Sequence, residues 1–155
     1  MKAVIALGSN MGDRQNYLKQ GAAEISRRVG TVLKQSSVWE TKAYGVTNQP
    51  DFLNMALSAE TDMNPEELLH ELLTIEKEQH RKRIIHWGPR TLDLDLIYYG
   101  DQIIHSDDLT VPHPDRCNRE FVLGPIAEIE PDFVDPEQNK TVLELLRALR
   151  RKSSE

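Results

Sequence analysis

Leu92-Asp-Leu-Asp-Leu-Ile-Tyr-Tyr99 is the stretch on which the fold turns. Alternate residues of an extended chain point to opposite faces, so this segment predicts a strand with Leu92, Leu94, Leu96 and Tyr98 on one side and Asp93, Asp95 and Ile97 on the other. One face seeks a core and the other presents carboxylates. Immediately upstream lies a helix signal: Asn64 as N-cap, Pro65 at the first helical position and Glu67 three residues after the cap, then an apolar stripe of Leu68, Leu69, Leu72, Leu73 and Ile75. Before it, Phe52 to Thr61 reads as a strand with Leu53, Met55, Leu57 and Ala59 on one face and Phe52, Asn54, Ala56 and Ser58 on the other. Thr31 to Thr41, rich in Val, Ser and Thr, predicts the strand that precedes it.

The chain opens with an aliphatic strand, Lys2 to Leu7, ended by Gly8-Ser9-Asn10. Leu18, Ala22, Ile25 and Val29 then recur at helical spacing, with Asp13 as N-cap and Gly30 as stop. The order is therefore βαββαβ. It predicts an α+β fold of the ferredoxin-like kind, an antiparallel sheet with helices on one face. Beyond it the sequence predicts a hairpin about Gly100-Asp101, a Pro-rich loop, and a last helix begun by Thr141 with Glu144 as its capping-box partner. Residues 1–155 form one domain on this reading.

Composition narrows the function. With 19 basic and 25 acidic side chains the net charge is −6, which disfavours non-specific binding to nucleic acid. The single cysteine, Cys117, excludes an internal disulfide and a Cys-rich zinc site, and implies a reducing, cytoplasmic setting. The apolar run Ala3 to Leu7 is far too short to span a membrane. Small molecules remain as the expected partners, with the protein acting as a monomer.

Asp93 and Asp95 stand two residues apart on one face, roughly 7 Å between Cα atoms. At an effective dielectric of 20 two such charges repel by about 2 kcal/mol, so a compensating cation is expected. Oxygen-only ligands favour Mg²⁺ or Mn²⁺ over zinc. A bare D-x-D equally suits two solvated carboxylates on an exposed sheet, but here Trp87-Gly-Pro-Arg90 precedes it, with Arg81, Lys82 and Arg83 before that. Cations able to grip phosphate oxygens beside carboxylates able to hold the neutralising metal are the minimal apparatus of phosphoryl transfer. The connections spanning 43–50 and 79–91 are both longer than the architecture needs, and long loops in compact domains are functional lids or disordered segments. Gly8-Ser9-Asn10, between strand and helix, lacks the G-K-[ST] ending of a phosphate loop and is read as a tight turn or part of the pocket.

The segment Trp87-Gly-Pro-Arg-Thr-Leu-Asp-Leu-Asp95 resembles the signature of the 6-hydroxymethyl-7,8-dihydropterin pyrophosphokinase family. Ala6-Leu-Gly-Ser-Asn10, Gln49-Pro-Asp-Phe-Leu-Asn54, Ile75-Glu76, Val111-Pro-His113, Asn118-Arg119 and Phe121 follow the same pattern in the same order. The resemblance implies transfer of pyrophosphate from ATP to a pterin alcohol. It implies two Mg²⁺ ions on Asp93 and Asp95, with Arg81 and Arg90 on the phosphates and His113 and Arg119 holding the nucleotide, and it adds Thr110 and Leu96 to the nucleotide side. The pterin is then expected to stack between Phe52 and Phe121 near Trp87, with Asn54 and the backbone about Thr41 and Tyr44 meeting its heteroatoms. Pro114 stands where many relatives carry a tyrosine, and Lys42 where a proline is frequent. The competing readings are another D-x-D nucleotidyl transferase and a ferredoxin-like nucleic-acid module, the latter opposed by the charge.

Overall fold

The computed structural model describes residues 1–10, 12–41, 52–81 and 92–153. Within them the chain runs β1 (Lys2–Ser9), α1 (Arg14–Arg28), β2 (Gly30–Gln35), β3 (Trp39–Thr41), β4 (Phe52–Thr61), α2 (Pro65–Arg81) and β5 (Asp93–Tyr99). It continues through β6 (Ile104–His105), β7 (Thr110–Val111), a 3-10 turn (Arg116–Asn118), α3 (Glu120–Ile129), β8 (Val134–Asp135), β9 (Lys140–Thr141) and α4 (Val142–Ser153). No helix among the described residues is long and apolar enough to cross a membrane.

The expected caps form. The Asn16 amide donates to the Asp13 carboxylate at 3.2 Å, Asn64 and Glu67 exchange side-chain-to-backbone bonds at 3.2 and 2.9 Å, and Thr141 and Glu144 do the same at 3.0 and 3.1 Å. Each satisfies amides that the first helical turn leaves without intrahelical partners. The main sheet is antiparallel in the order β2-β4-β1-β5, with β3 also pairing β4. The expected second strand is thus divided, because Ser36 turns its amide to the Ala56 carbonyl and its hydroxyl to the Ala56 amide, both at 2.9 Å, between the two halves.

Residues Ala3, Ile5 and Leu7 of β1 and Leu53, Met55, Leu57 and Ala59 of β4 pack against α1 and α2 in one core. Helices on one face only is the expectation that fails. Val4, Ala56, Ile97 and Tyr98 on the opposite face bury themselves with Val122, Leu123, Ile126, Val142, Leu145 and Leu146 of α3 and α4. β4 is consequently buried on both faces along most of its length. The strict alternation of β5 also fails at one point. Ile5 pairs with Leu96 and Val4 with Tyr98, so Ile97 is an extra residue, and Tyr98 moves from the first face to the second. The turn at Gly100-Asp101 exists, with the Gly100 amide bonded to the Lys2 carbonyl at 2.7 Å, but no hairpin grows from it. The short strand β6 pairs with β7 instead.

α3 sits directly on the Trp39 indole. A Cβ built at Gly124 would lie 2.4 Å from two of its ring carbons, and the indole cannot retreat freely because its N–H is bonded to Glu128 at 3.2 Å. Gly124→Ala should therefore lower the unfolding free energy by about 1–3 kcal/mol. Urea titration followed by tryptophan fluorescence measures this, and an unchanged midpoint would mean that the helix slides without cost.

Candidate active site

Strand register lays out the site before any side chain is considered. Trp39 pairs with Asn54, Asn54 with Gly8, and Gly8 with Asp93. In the neighbouring row Ala56 pairs with Ala6, and Ala6 with Asp95. Adjacent strands lie about 4.8 Å apart, so the amide of Asn54 and the carboxylates of Asp93 and Asp95 start from backbones about 10 Å apart across β1. Gly8 and Ala6 fill the interval with little or no side chain. A Cβ on Gly8 would come within 3.1 Å of the Asn54 Oδ1, so this position keeps the floor open.

Above that floor is a cleft of about 630 Å³, lined by Thr41, Phe52, Asn54, Asp93, Asp95, Arg119 and Phe121 among others. The Asn54 amide donates to the Thr41 hydroxyl at 3.0 Å, which fixes the direction of the Asn54 carbonyl. The Arg119 guanidinium lies 5.8 Å from the centre of the Phe121 ring and 3.4 Å from the Asp115 carboxylate. A second cavity of about 350 Å³ shares Asp93 and Asp95 and adds Leu96, Thr110 and His113. The two aspartates therefore stand on the wall common to both. Arg119 lines the larger cleft and His113 the smaller, so these two nucleotide candidates are separated. Tyr44, Trp87 and Arg90 lie outside the described residues, as do Lys82 and Arg83; Arg81 ends α2, and its side chain is outside the description.

Residues that sequence reasoning assigned no role complete the walls. Glu76, nearly buried, accepts the Leu94 amide at 2.8 Å and so pins α2 between the two aspartates of β5. Asn118 and Glu120 line the larger cleft, as do Leu149 and Ser153 of α4. Asp108 lines the smaller. The pattern Asn118-Arg119…Phe121 marks that segment in the sequence, whereas nothing local marks α4.

Behind the smaller cavity lies a buried ionic group. Arg116 Nε and Nη2 donate to the two Asp135 oxygens at 2.6 and 3.0 Å, and the Tyr98 hydroxyl donates to the same carboxylate at 2.6 Å. Burial by itself would push the Asp135 carboxyl up, but the bonds from Arg116, Tyr98 and the Gln138 amide outweigh it and hold the carboxyl below the usual range. Burial and the neighbouring Asp135 charge push the Tyr98 phenol far above its ordinary value.

Among the described residues no cluster of three or more His, Cys, Asp or Glu side chains could alone enclose a metal ion. Mg²⁺ does not need one. It is usually held by one or two carboxylates with substrate phosphates and water completing the octahedron, and the oxygen-only pair Asp93 and Asp95 suits that mode.

A model of the 7,8-dihydro-6-hydroxymethylpterin-pyrophosphokinase (HPPK) family matches residues 4–131. The chain belongs to that family. It is 43% identical to a 2-amino-4-hydroxy-6-hydroxymethyldihydropteridine pyrophosphokinase of Synechocystis over 93% of this chain and 74% of the relative. It is 48% identical to the Bacillus subtilis protein of the same description, over 82% and 77%. The HPPK-DHPS crystal structure of Plasmodium falciparum superposes with a TM-score of 0.81 at 14% identity, covering 99% of this chain and 46% of that one. That likeness shows the fold, and this chain spans less than half of the larger protein.

The depressed Asp135 carboxyl sets a pH dependence. A carboxyl lowered in the folded state contributes stability that is complete above its unfolded value, about 3.9, and is lost as pH falls through the lower folded value. Unfolding free energy should drop as pH falls below about 4. Asp135→Asn should be less stable near neutrality by about 3 kcal/mol, with a flatter acid limb, in urea titrations across pH. Parallel acid limbs for the two proteins would show that other carboxylates govern the effect.

Proposed function

We propose that this cleft transfers pyrophosphate from ATP to 6-hydroxymethyl-7,8-dihydropterin, giving AMP and the pterin diphosphate, a step of folate biosynthesis. The observation that carries the reading is the shared wall: Asp93 and Asp95 face both the aromatic, amide-bearing cleft and the cavity that His113 lines. A reaction joining two substrates needs its charge-handling groups at their junction.

In this reading the pterin lies between Phe52 and Phe121. The Asn54 amide and the Thr41 region meet its ring heteroatoms, with Tyr44 contributing from the segment before β4 and Trp87 from the start of the signature. ATP occupies the cavity of Leu96, Thr110 and His113 with its phosphates running over Asp93 and Asp95 toward the larger cleft, where Arg119 meets them, and Arg81 and Arg90 hold them as well. Asp93 and Asp95 would bind two Mg²⁺ ions, which when bound spread charge away from the transferred phosphates. The pterin hydroxyl oxygen bonds to the β-phosphorus as the bond from that phosphorus to the α,β-bridging oxygen breaks, in line; AMP leaves with that oxygen, and the hydroxyl proton is released to water. Phe52, Phe121 and Asn54 orient the attacking hydroxyl, and the arginines and His113 hold the leaving phosphate. Positioning and electrostatics supply most of the rate in such transfers, so no side chain is assigned as a general base.

The fold is read as one ferredoxin-like domain bearing an added helical layer. The protein is read as a cytoplasmic monomer, where Cys117 stays reduced.

With ATP, Mg²⁺ and the reduced hydroxymethylpterin, the nucleotide product should be AMP, resolved by chromatography of the reaction mixture. ADP would make the protein a simple kinase and overturn the reading. Asp95 is exposed, so Asp95→Ala should remain folded yet lose turnover on the order of a hundredfold or more. Steady-state rates at limiting Mg²⁺ check this, and near-native activity would remove the metal assignment.

A further inference from the structure

We propose that Arg116 is a positioning residue for the nucleotide side of the cleft, setting His113 from behind by holding its carbonyl against the buried Asp135 carboxylate. The inference rests on the assignment of ATP to the cavity that His113 lines. Arg116 is 3% exposed and Asp135 is fully buried. While Nε and Nη2 grip Asp135, Nη1 donates to the His113 carbonyl at 2.8 Å and Nη2 also reaches Glu137 at 3.0 Å. A guanidinium is a rigid planar fork, so fixing Asp135 fixes where the His113 carbonyl sits.

Asp135 is itself held from several sides. It accepts the Tyr98 hydroxyl at 2.6 Å and the Glu137 and Gln138 amides at 2.9 and 3.0 Å. Tyr98 belongs to β5, the strand that carries Asp93 and Asp95. One continuous run of bonds thus leads from that strand through Tyr98, Asp135 and Arg116 to His113. Two shorter ties finish the histidine: its amide donates to the Ile97 carbonyl at 3.0 Å, and its Nδ1 accepts the Asp115 amide at 3.2 Å. With Nδ1 accepting, the neutral ring carries its proton on Nε2, the arrangement that offers a donor to a phosphate oxygen.

Stability alone does not account for this group. Apolar residues of similar volume usually replace a buried ion pair with no loss of stability and often with a gain. What they cannot replace is the directed bond to the His113 carbonyl. The triple variant Tyr98→Phe, Arg116→Met, Asp135→Leu separates the two roles, because it removes both charges of the buried pair together and takes an arginine only from Glu137, which is 30% exposed and open to water.

The experiment compares the wild type, the triple variant and His113→Ala by thermal melting. Calorimetry then measures binding of a nonhydrolysable ATP analogue with Mg²⁺ and, separately, of the pterin, and ¹⁵N shifts report the His113 ring. The triple variant should melt cooperatively, bind the pterin as the wild type does, and lose analogue affinity by about tenfold, with the ring nitrogens reporting mixed tautomers. A folded triple variant with wild-type analogue affinity overturns the proposal. So does an equal loss for both ligands, which would mark a general structural defect. If the triple variant does not fold, Arg116→Lys carries the test, since a single ammonium cannot serve Asp135 and the His113 carbonyl in the same geometry. It should show the same selective loss, and wild-type affinity there overturns the proposal. His113→Ala with unchanged analogue affinity would instead overturn the ATP assignment beneath it. A loss in His113→Ala beside an unaffected triple variant leaves that assignment standing and removes only the role of Arg116.

Discussion

The register of β1 between β4 and β5 is the constraint on which the site depends. Gly8 faces Asn54 on one side and Asp93 on the other, and Ala6 stands between Ala56 and Asp95. A slip of one residue would send the aliphatic Ile5 and Leu7 to the cleft and bring Gly8 and Ala6 to the core. Both losses would be paid at once, in buried apolar area and in the open floor. At about 1.5–3 kcal/mol for each fully buried aliphatic side chain, the core fixes the register and the site inherits it.

The second helical layer is tied to the neighbouring strand, β5. The extra residue Ile97 changes the parity of β5, so the carboxylates near its start and Tyr98 near its end share one face. Without the bulge the Tyr98 ring would enter the core of α1 and α2, and its hydroxyl would have no Asp135 to meet. With it, the phenol reaches across to the β8–β9 hairpin, packs on Phe133 at 4.8 Å between ring centres, and ties the C-terminal layer to the strand that bears the aspartates. A local irregularity thereby couples a distal hairpin to the floor of the cleft.

What the sequence makes legible and what it hides divide along the range of the interactions. Caps at Asp13, Asn64 and Thr141 act over three residues, and the split of β4 into Leu53-Met55-Leu57 and Phe52-Asn54-Ala56 faces needs only a period of two. These are visible in one dimension. α3 is not, because it falls where the sequence predicts a Pro-rich loop, and the burial of Val122, Leu123 and Ile126 on the far side of the sheet outweighs the low helix propensity of Gly124 and Pro125 within it. The bulge at Ile97 is equally silent, since it is defined by the partner strand. Arg116 and Asp135 are 19 residues apart, and no spacing rule joins them. Asp93, Asp95, Phe52 and Asn54 could be placed on one face because each was assigned by strand parity, whereas the separation of Arg119 from His113 depends on how the 113–119 segment folds over the sheet edge.

Charge balance decides which ligands the junction tolerates. The smaller cavity is lined by Glu76, Asp93, Asp95 and Asp108, and the larger adds Glu120 to the same two aspartates. Among the described residues lining the larger cleft, Arg119 is the one cation. A polyphosphate brought to that wall alone would be repelled, and the repulsion grows as water is displaced and the effective dielectric falls. The chain's remaining basic residues near the signature, Arg81, Lys82, Arg83 and Arg90, are concentrated in the ten positions that precede Thr91. Carboxylates on the strand and cations in the stretch of sequence just before it are the charge pattern that the proposed transfer of a polyphosphate with a divalent cation needs. Placing the carboxylates two residues apart on the strand fixes the separation of their backbones, as the metal pair in the proposed transfer would require.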